Sequence, residues 1–410
     1  ILDEVRLINI GNELSMTLSI GVGVNGGSYT ENYESARVAM DLALGRGGDQ
    51  AVVRDGDAIS YYGGKTQKVE KSTRVKARVK AHALREIMLT HDKIFVMGHK
   101  NPDADCVGAA LGIYRLSKAL NKSTYIVMDK DCPAIEPIVD GIYRERADEE
   151  EDIFVTNEEA MLLKDKSAML IVVDVNVPAM TECPELLKSI STIVVLDHHR
   201  QSNETIKNAV VSYVEPYASS TCEMVAEILQ YIVDKPKLKN IEADAMYSGI
   251  LVDTDNFVIK AGVRTFEAAA YLRRAGADVT RVRKMFREDM EHCRIRTAII
   301  NKAEIYMDEF AISTFDGENV SGATVVGAKA ANALLNIQGI RGSFVLTALQ
   351  DCIYVSARSI DELNVQVIME KFGGGGHLTM AAAQLKDVSL SDAAEMLKHT
   401  LRKMHEDGDI

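Results

Sequence analysis

The stretch that decides the fold is IFVMGHKNPDADCVGAALGIYRLSKAL, residues 94–120. It starts with an apolar run and ends with apolar residues at helical spacing, so it predicts a strand followed by a helix. His99, Asp103 and Asp105 stand between the two, and Pro102 turns the chain so that these polar side chains can converge. Open α/β sheets bind ligands where their strands end. The stretch therefore predicts a site at the carboxyl end of a strand.

Similar residues follow two other apolar runs and one further segment. They are Asp174 in IVVDVN, Asp197, His198 and His199 in VVLDHHR, and Asp253 in ILVDTDNF. One aspartate at a helix start is usually a cap, and one histidine is usually structural. Several carboxylates buried together at neighbouring strand ends are unfavourable unless cations neutralise them. The combined pattern therefore favours a metal site.

The types of ligand indicate which metal is expected. Carboxylates outnumber imidazoles and no thiolate takes part, which favours Mn²⁺ or Mg²⁺ over a closed structural zinc site. We expect two Mn²⁺ ions, with Mg²⁺ or another divalent ion as the alternative. The predicted ligands are His99, Asp103 and Asp174 for one ion and Asp105, Asp174, His198 and Asp253 for the other, with Asp174 bridging. Two such ions activate water and clamp the oxygens of a phosphoryl transfer, so we predict hydrolysis of a phosphate ester.

The motif VVLDHHR also contains the two catalytic candidates, Asp197 and His199. Asp197 is predicted to orient a neighbouring imidazole, because metal-bound histidines commonly donate their second N–H to a carboxylate. His199 is then expected to face the substrate phosphate, and the alternative for it is a surface or packing residue. Asp255 in DTDNF is predicted to be a turn residue.

Two features of the C-terminal part predict substrate binding. The first is the glycine run Gly373, Gly374, Gly375 and Gly376, followed by His377. Consecutive glycines let the backbone approach an anion and expose N–H donors to it. The second is Arg358 in SARS, a candidate bidentate phosphate clamp just after a strand. The alternatives are a flexible hinge for the glycines and an ordinary surface residue for Arg358.

Along the chain, alternating strands and helices predict an α/β protein with a doubly wound, mostly parallel sheet. A smaller α/β domain should follow this sheet, and a partial α/β unit should precede it. The connector is expected to begin with a polar bridge, YYGGKTQ, at 61–67. The elements between 141 and 168 are not evident from the pattern. The predicted domains are a partial unit at 1–60, a connector helix at 61–91, a catalytic domain at 92–290, a linking helix at 291–308 and a substrate-binding domain at 309–410.

The composition limits the possible partners and the compartment. The 410 residues carry a net charge of -13, which argues against long nucleic acids as partners because such binding requires clustered Lys and Arg. The six cysteines form no CxxC pair and are expected to be reduced. There is no run of 18 apolar residues and no signal-peptide pattern at the N-terminus, so we expect a soluble cytoplasmic fragment.

The ordered motifs HKNPDAD, VVD, LDHH and VDTDNF resemble those of the DHH phosphoesterases. SARS and GGGGH resemble the DHHA1 substrate-binding domain that follows DHH domains. LSIGVGV and the helix SARVAMDLALGRGGDQ resemble the back half of a degenerate GGDEF domain, without the GGDEF signature itself. This order of domains resembles the GdpP-type cyclic di-AMP phosphodiesterases.

That resemblance implies hydrolysis of cyclic di-AMP to linear pApA, which controls the level of a second messenger. It also implies a homodimer, and a full-length protein anchored in the cell membrane by segments upstream of this chain. One alternative is a DHH-family phosphoesterase that acts on very short RNA (nanoRNA) or pAp. Only the N-terminal unit of the chain distinguishes the cyclic di-AMP hypothesis from this alternative. Another is a nucleotide-binding sensor with incidental turnover, which would still signal after replacement of Asp174.

Overall fold

The computed structural model describes residues 1–6, 17–45, 48–56, 58–63, 74–145, 152–199, 204–232, 236–287, 289–360, 363–376, 378–407 and 410. The chain forms two compact units, Ile1–Phe286 and Arg287–Ile410. Within the described ranges, no helix has both the length and the apolar character needed to cross a membrane.

The first unit begins with a three-stranded sheet in the order β1-β2-β3. The elements here are α1 (Leu2–Arg6), β1 (Ile20–Val24), α2 (Tyr29–Gly45), β2 (Gln50–Asp55) and β3 (Ala58–Gly63). β1 pairs with β2 in parallel, and β3 pairs with β2 in the antiparallel sense. Helix α2 packs closely on β1 because Gly21 has no side chain: a Cβ there would lie 2.4 Å from the carbonyl oxygen of Ala36.

Strand β3 corrects the expected polar bridge at 61–67. Residues 61–63 end this strand and pair with 50–52 of β2. The prediction was wrong because β3 lies at a sheet edge with mostly exposed side chains, so it shows little of the alternation that marks a half-buried strand. The predicted connector helix is present as α3 (Arg74–Leu89), and residues 64–73 lie outside the described residues.

The rest of this unit is built on a six-stranded sheet in the order β6-β5-β4-β7-β8-β9. Its strands are β4 (Lys93–Met97), β5 (Ser123–Val127), β6 (Phe154–Val155), β7 (Ala168–Val173), β8 (Thr192–Asp197) and β9 (Val211–Val214). Every pair of neighbours is parallel, which confirms the predicted doubly wound sheet. The strand order reverses direction between β4 and β7, so their carboxyl ends form the crevice in which such sheets bind ligands.

Helices cover both faces of this sheet. They are α4 (Ala104–Ala119), α5 (Glu136–Glu145), α6 (Asn157–Leu163), a short 3-10 helix (Pro178–Met180), α7 (Pro184–Ser189), α8 (Thr221–Tyr231), α9 (Asn240–Asp253), α10 (Val263–Ala275) and α11 (Val279–Met285). Ile94 and Val96 of β4 join the apolar core on one face, and Phe95 and Met97 join the core on the other. Strands buried on both faces read as continuous apolar runs, which is why the sequence revealed them.

The second unit contains a mixed six-stranded sheet in the order β10-β11-β12-β13-β15-β14. Its elements are α12 (Met290–Asn301), β10 (Glu304–Tyr306), β11 (Phe310–Asp316), α13 (Ala323–Leu334), β12 (Gly342–Leu349), β13 (Cys352–Ser359), α14 (Val365–Glu370), β14 (Gly375–Gly376), β15 (Met380–Lys386) and α15 (Leu390–Glu406). Strands together with helices form this unit, in agreement with the smaller α/β domain expected after the parallel sheet. The expected linking helix at 291–308 is shorter, because 304–306 pair with β11 as an edge strand.

Candidate metal centre

The loop after β4 places His99 and Asp103 side by side. Asp103 is the N-cap of α4, and its Oδ1 accepts hydrogen bonds from the N–H groups of Asp105 and Cys106, each at 3.0 Å. The same oxygen lies 3.8 Å from Nε2 of His99. Asp103 therefore combines the capping role that its position suggests with a place in the cluster.

Asp105 points from the first turn of α4 towards the start of α8 and is fully buried. Its Oδ2 accepts the N–H of Thr221 at 2.7 Å, and its Oδ1 accepts the N–H of Cys222 at 2.8 Å. These are N–H groups that a helix N-terminus leaves without an intrahelical partner, so α8 fixes the orientation of this carboxylate.

Asp174 follows β7 and lies between two histidines. Its Oδ2 is 3.5 Å from Nε2 of His99, and its Oδ1 is 3.4 Å from Nε2 of His198. Thr221 also donates its hydroxyl to Oδ1 of Asp174 at 3.0 Å. The backbone of Asp174 is left-handed, with φ of 62°, which is uncommon for a residue with a side chain and is concentrated at functional sites.

His198 and Asp253 complete the cluster from the ends of β8 and α9. Nε2 of buried His198 lies 3.1 Å from Oδ2 of Asp253 and 3.9 Å from Oδ2 of Asp105. Asp255 follows in a turn with φ of 44°, in agreement with its predicted role as a turn residue.

The predicted ligands thus converge at the switch point of the parallel sheet. Three sets of ligand atoms lie within 4.8 Å of one another: His99 with Asp103 and Asp174, Asp105 with His198 and Asp253, and Asp174 with His198 and His199. Neighbouring ligands of an octahedral ion with bonds of about 2.1 Å are about 3 Å apart, which these groups can reach with small side-chain shifts. The oxygen-rich donor set suits Mn²⁺ or Mg²⁺.

The electrostatics of the cluster also fit bound cations. Burial raises the pKa values of the Asp105 and Asp253 carboxyl groups, which shows how poorly this environment tolerates their charge. Burial alone would lower the pKa of His99, but hydrogen bonds to Asp103 and Asp174 outweigh it and raise that pKa to about 11. Within the described part of the chain, histidines and no lysine or arginine form ion pairs with these carboxylates. Divalent ions would supply the positive charge that the cluster lacks.

Asp197 orients His199 rather than the neighbouring His198. Its buried Oδ1 accepts hydrogen bonds from the backbone N–H of His199 at 3.1 Å and from the ring Nδ1 at 2.8 Å. Asn176 donates its amide to the other oxygen of Asp197. The side chain of His199 is 42% exposed, so its ring stands at the solvent edge of the cluster.

Thr221 and Asn176 are contacts that the sequence reasoning missed. Thr221 binds two of the predicted ligands, and the signal for it was the SST segment before α8, which is typical of a helix N-cap. Asn176 contacts Asp197, which is 21 residues away in sequence, so no local pattern indicates this contact.

In the second unit, Arg358 lies within β13 and not just after a strand as expected, because the strand continues to Ser359; its side chain is partly buried. Its Nε donates to Oδ1 of Asn332 at 2.6 Å, and one terminal nitrogen donates to the carbonyl of Ala357 at 2.9 Å. These bonds fix the direction of the guanidinium.

The glycine run is part of the fold of the second unit. The N–H groups of Gly373 and Gly374 donate to carbonyls at the end of α14, and Gly375 and Gly376 form β14. A Cβ at Gly374 would lie 2.1 Å from the carbonyl oxygen of Ala382. The first two N–H groups are therefore used by the helix end instead of being exposed to an anion. His377 lies outside the described residues.

Three family models match the chain. Residues 1–60 match the GGDEF domain of cyclic-di-AMP phosphodiesterase GdpP-like proteins, residues 93–250 match the DHH family N-terminal domain, and residues 311–406 match the DHHA1 domain.

Two curated relatives are similar over nearly the whole chain. Cyclic-di-AMP phosphodiesterase PdeA of Listeria monocytogenes is 42% identical over 97% of this chain and 61% of its own length. Cyclic-di-AMP phosphodiesterase GdpP of Bacillus subtilis is 41% identical over 100% of this chain and 62% of its own length. The chain therefore spans about three fifths of the length of these relatives.

One solved structure has a similar fold. An exopolyphosphatase-related protein from Bacteroides fragilis aligns with a TM-score of 0.65 at 18% identity, covering 83% of this chain and 98% of that protein. At this level of identity, the likeness concerns the fold alone.

Proposed function

The chain belongs to the DHH family, and from this premise we propose that it is a metal-dependent phosphodiesterase that hydrolyses cyclic di-AMP to linear pApA. The observation that carries the proposal is Asp174, whose left-handed backbone holds one carboxylate between two groups of metal-binding side chains. The GdpP-like N-terminal match supports cyclic di-AMP over the nanoRNA or pAp alternative, because it is the feature that separates the two readings.

In this proposal, the catalytic domain spans 92–290, after the partial GGDEF-like domain at 1–60 and the connector at 61–91. The linking segment at 291–308 then leads to the DHHA1 substrate-binding domain at 309–410. The family matches to the DHH and DHHA1 domains fall inside these ranges.

We assign two divalent ions, Mn²⁺ by preference, to the cluster. The proposed ligands are His99, Asp103 and Asp174 for one ion and Asp105, Asp174, His198 and Asp253 for the other. When bound, two such ions would lower the pKa of a water molecule and would stabilise negative charge on the attacking and leaving oxygens.

Residues of the chain itself are proposed to orient the substrate and the imidazole of His199. His199 can present its Nε2 to a phosphate oxygen, because Asp197 already binds its Nδ1 and backbone N–H. Asn176 holds Asp197 in place from the other side. This arrangement keeps one imidazole in a fixed direction at the exposed edge of the cluster, where a phosphodiester can reach it.

We propose that the DHHA1 domain contributes substrate contacts of its own. Arg358, already oriented by Asn332, is proposed as a phosphate clamp because a guanidinium can bind two phosphate oxygens at once. Gly375, Gly376 and His377 are proposed as further contacts to the substrate. Gly373 and Gly374 contribute by shaping this segment.

We also propose that the protein is a homodimer. Helix α3 is amphipathic, and Val79 and Leu89 on it are 60% and 40% exposed. Sedimentation of a monomer at micromolar concentration would contradict this. The GdpP-like N-terminal match further leads us to propose that the full-length protein is anchored in the membrane, with this region in the cytoplasm. Recovery of the full-length protein from the soluble cell fraction would contradict the anchor.

The test of the proposed function is hydrolysis of cyclic di-AMP with Mn²⁺, followed by chromatography, beside cyclic di-GMP, pApA and a short RNA. Asp174→Ala is the control, and it should reduce the rate by at least about 10³-fold because several kcal/mol of charge stabilisation are lost. Preferred, Asp174-dependent formation of pApA supports the proposal. Faster cleavage of pApA and short RNA would make the protein a nucleotide scavenger instead, and signalling that persists in Asp174→Ala would favour a sensor.

A further inference from the structure

A second group of buried polar side chains lies behind the first turn of α8 and takes no part in the proposed ligand set. Glu223 is its centre and is 1% exposed. Its Oε2 accepts hydrogen bonds from the Ser219 hydroxyl at 2.7 Å, the Ser219 N–H at 3.3 Å and the Thr265 hydroxyl at 2.6 Å. One carboxylate oxygen therefore ties the residues before α8 to the start of α10.

An arginine anchors this group from α10. Arg264 donates to both carboxylate oxygens of Glu227, at 2.7 and 2.6 Å, and its Nε lies 3.7 Å from Oε1 of Glu223. All three side chains are buried. A paired, hydrogen-bonded network of this kind is rigid because each member has few alternative partners.

The network fixes the backbone that touches the metal centre. Ser219 is two residues before Thr221, whose N–H and hydroxyl bind Asp105 and Asp174. Ser220 between them caps α8 by accepting the N–H of Glu223 at 3.1 Å. The contacts run without a gap from Thr265 through Glu223 and the start of α8 to the two carboxylates.

The opposite side of this turn is held by close packing. The Cys222 thiol donates to the backbone carbonyl of Asp105 at 3.4 Å. A Cβ at Gly108 or Gly249 would lie 2.7 Å from the Cys222 sulfur. The start of α8 is thus confined between helices α4 and α9 on one side and the Glu223 network on the other.

We propose that Glu223 is a positioning residue of the metal centre: through Ser219 and Thr265 it sets the first turn of α8, which orients Asp105 and Asp174 for their ions. This inference rests on the metal-binding part of the proposed function. Partners beyond the ligands commonly change metal affinity by about 10- to 100-fold, because they set the direction in which a ligand points.

The test is titration of the metal-free 410-residue chain with Mn²⁺, with free Mn²⁺ measured by its electron paramagnetic resonance signal. Glu223→Ala should weaken binding by about 10- to 100-fold. Glu223→Gln keeps an oxygen acceptor at the same place and should stay within about threefold of the unchanged protein. Rescue by the glutamine variant separates positioning from a need for the charge.

Asp244→Asn is the matched control. Asp244 is also 1% exposed and binds Arg281 with two hydrogen bonds of 2.6 and 3.1 Å. It stands nine residues before Asp253 on α9, about 14 Å along the helix axis. This variant should lower the melting temperature while Mn²⁺ affinity stays within about twofold, since the hydrogen-bond partners of Asp244, Asp278 and Arg281, belong to the start of α11.

The outcomes are distinct. Unchanged Mn²⁺ affinity in a folded Glu223→Ala protein, or an equal loss in Asp244→Asn, overturns the proposal. If Glu223→Ala does not fold, Thr265→Val removes one donor to Glu223 at nearly constant shape and should weaken Mn²⁺ binding by about threefold or more. Unchanged affinity there overturns the proposal as well.

Failure of the proposed function is distinguishable from failure of this inference. An unchanged chain that binds Mn²⁺ but does not cleave cyclic di-AMP refutes the proposed substrate and leaves the role of Glu223 intact. A chain that binds no Mn²⁺ refutes both.

Discussion

Two groups of buried acidic side chains flank the first turn of α8, and their charges are balanced in different ways. In the metal-side cluster, Asp105, Asp174 and Asp253 surround the buried imidazole of His198. In the arginine-side cluster, Glu223 and Glu227 face the guanidinium of Arg264.

The two clusters differ in the kind of positive charge that faces their carboxylates. Arg264 carries a permanent positive charge that faces both Glu223 and Glu227, so the arginine-side cluster has a fixed cationic partner within the chain. Among the described residues, the metal-side cluster has only histidines as cationic partners, and their charge depends on protonation. Divalent ions from solution would supply positive charge that does not depend on protonation, so we expect this cluster to respond to a divalent metal.

The largest expected effect comes from removing the permanent charge. Arg264→Met leaves Glu223 and Glu227 buried without their partner and should lower the free energy of unfolding by about 3–5 kcal/mol. Urea unfolding of the metal-free protein measures this. A loss below about 1 kcal/mol would mean that the arginine-side cluster is not a buried ion network.

A smaller effect is expected where the two clusters meet. In Gly249→Ala, the new Cβ would lie 2.7 Å from the Cys222 sulfur and 2.9 Å from Oδ1 of Asp105. Overpacking of this kind costs about 1–3 kcal/mol and should also displace the Asp105 carboxylate. Urea unfolding measures the loss of stability, and Mn²⁺ titration measures the effect of displacing Asp105. Unchanged stability and unchanged Mn²⁺ affinity would show that the contact of Gly249 with Cys222 and Asp105 is not tightly packed.

A change of opposite sign is predicted on the metal side. Burial, together with the neighbouring Asp103 and Asp174 carboxylates, raises the pKa of Asp253, so its charged form is unfavourable in the metal-free protein and Asp253→Asn should raise the melting temperature of that form. Added Mn²⁺ should then stabilise the variant less than the unchanged protein. Thermal melts with EDTA and with Mn²⁺ measure the stability of the metal-free protein and its gain on metal binding. Asp244→Asn is the control: it breaks an ion pair with Arg281 and should lower the melting temperature instead. A destabilised metal-free Asp253→Asn protein would contradict the charge argument.

The smallest effect on stability and Mn²⁺ binding is expected at Asp255, two residues after Asp253. Asp255 has φ of 44° in the turn after α9, and asparagine tolerates this conformation about as well as aspartate. Asp255→Asn should keep stability within about 0.5 kcal/mol and leave Mn²⁺ binding unchanged. A clear loss of Mn²⁺ affinity would enlarge the metal-side cluster to include Asp255.

The sequence predicted the metal-side cluster because its residues follow local patterns. His99, Asp174 and His198 each stand just after a continuous apolar strand, and the ends of parallel strands meet at one edge. The fully buried strands of the central sheet were predictable because each of them is a continuous apolar run in the sequence.

The arginine-side cluster was not predictable in this way. Glu223 and Thr265 are 42 residues apart and lie on two different helices, so only the tertiary fold brings them together. Edge strands β3 and β10 were missed because their side chains are largely exposed and their pairing, not their pattern, makes them strands. The glycine run at 373–376 predicts a loop that exposes N–H donors to an anion. Its close packing against Ala382 is a tertiary contact that the sequence does not indicate.

The most direct test of the account is anomalous diffraction at the manganese edge from crystals grown with Mn²⁺. We expect two peaks that share Asp174 as a ligand: one also bound by His99 and Asp103, the other also bound by Asp105, His198 and Asp253. No peak, a single peak, or a peak beside Glu223 would contradict it.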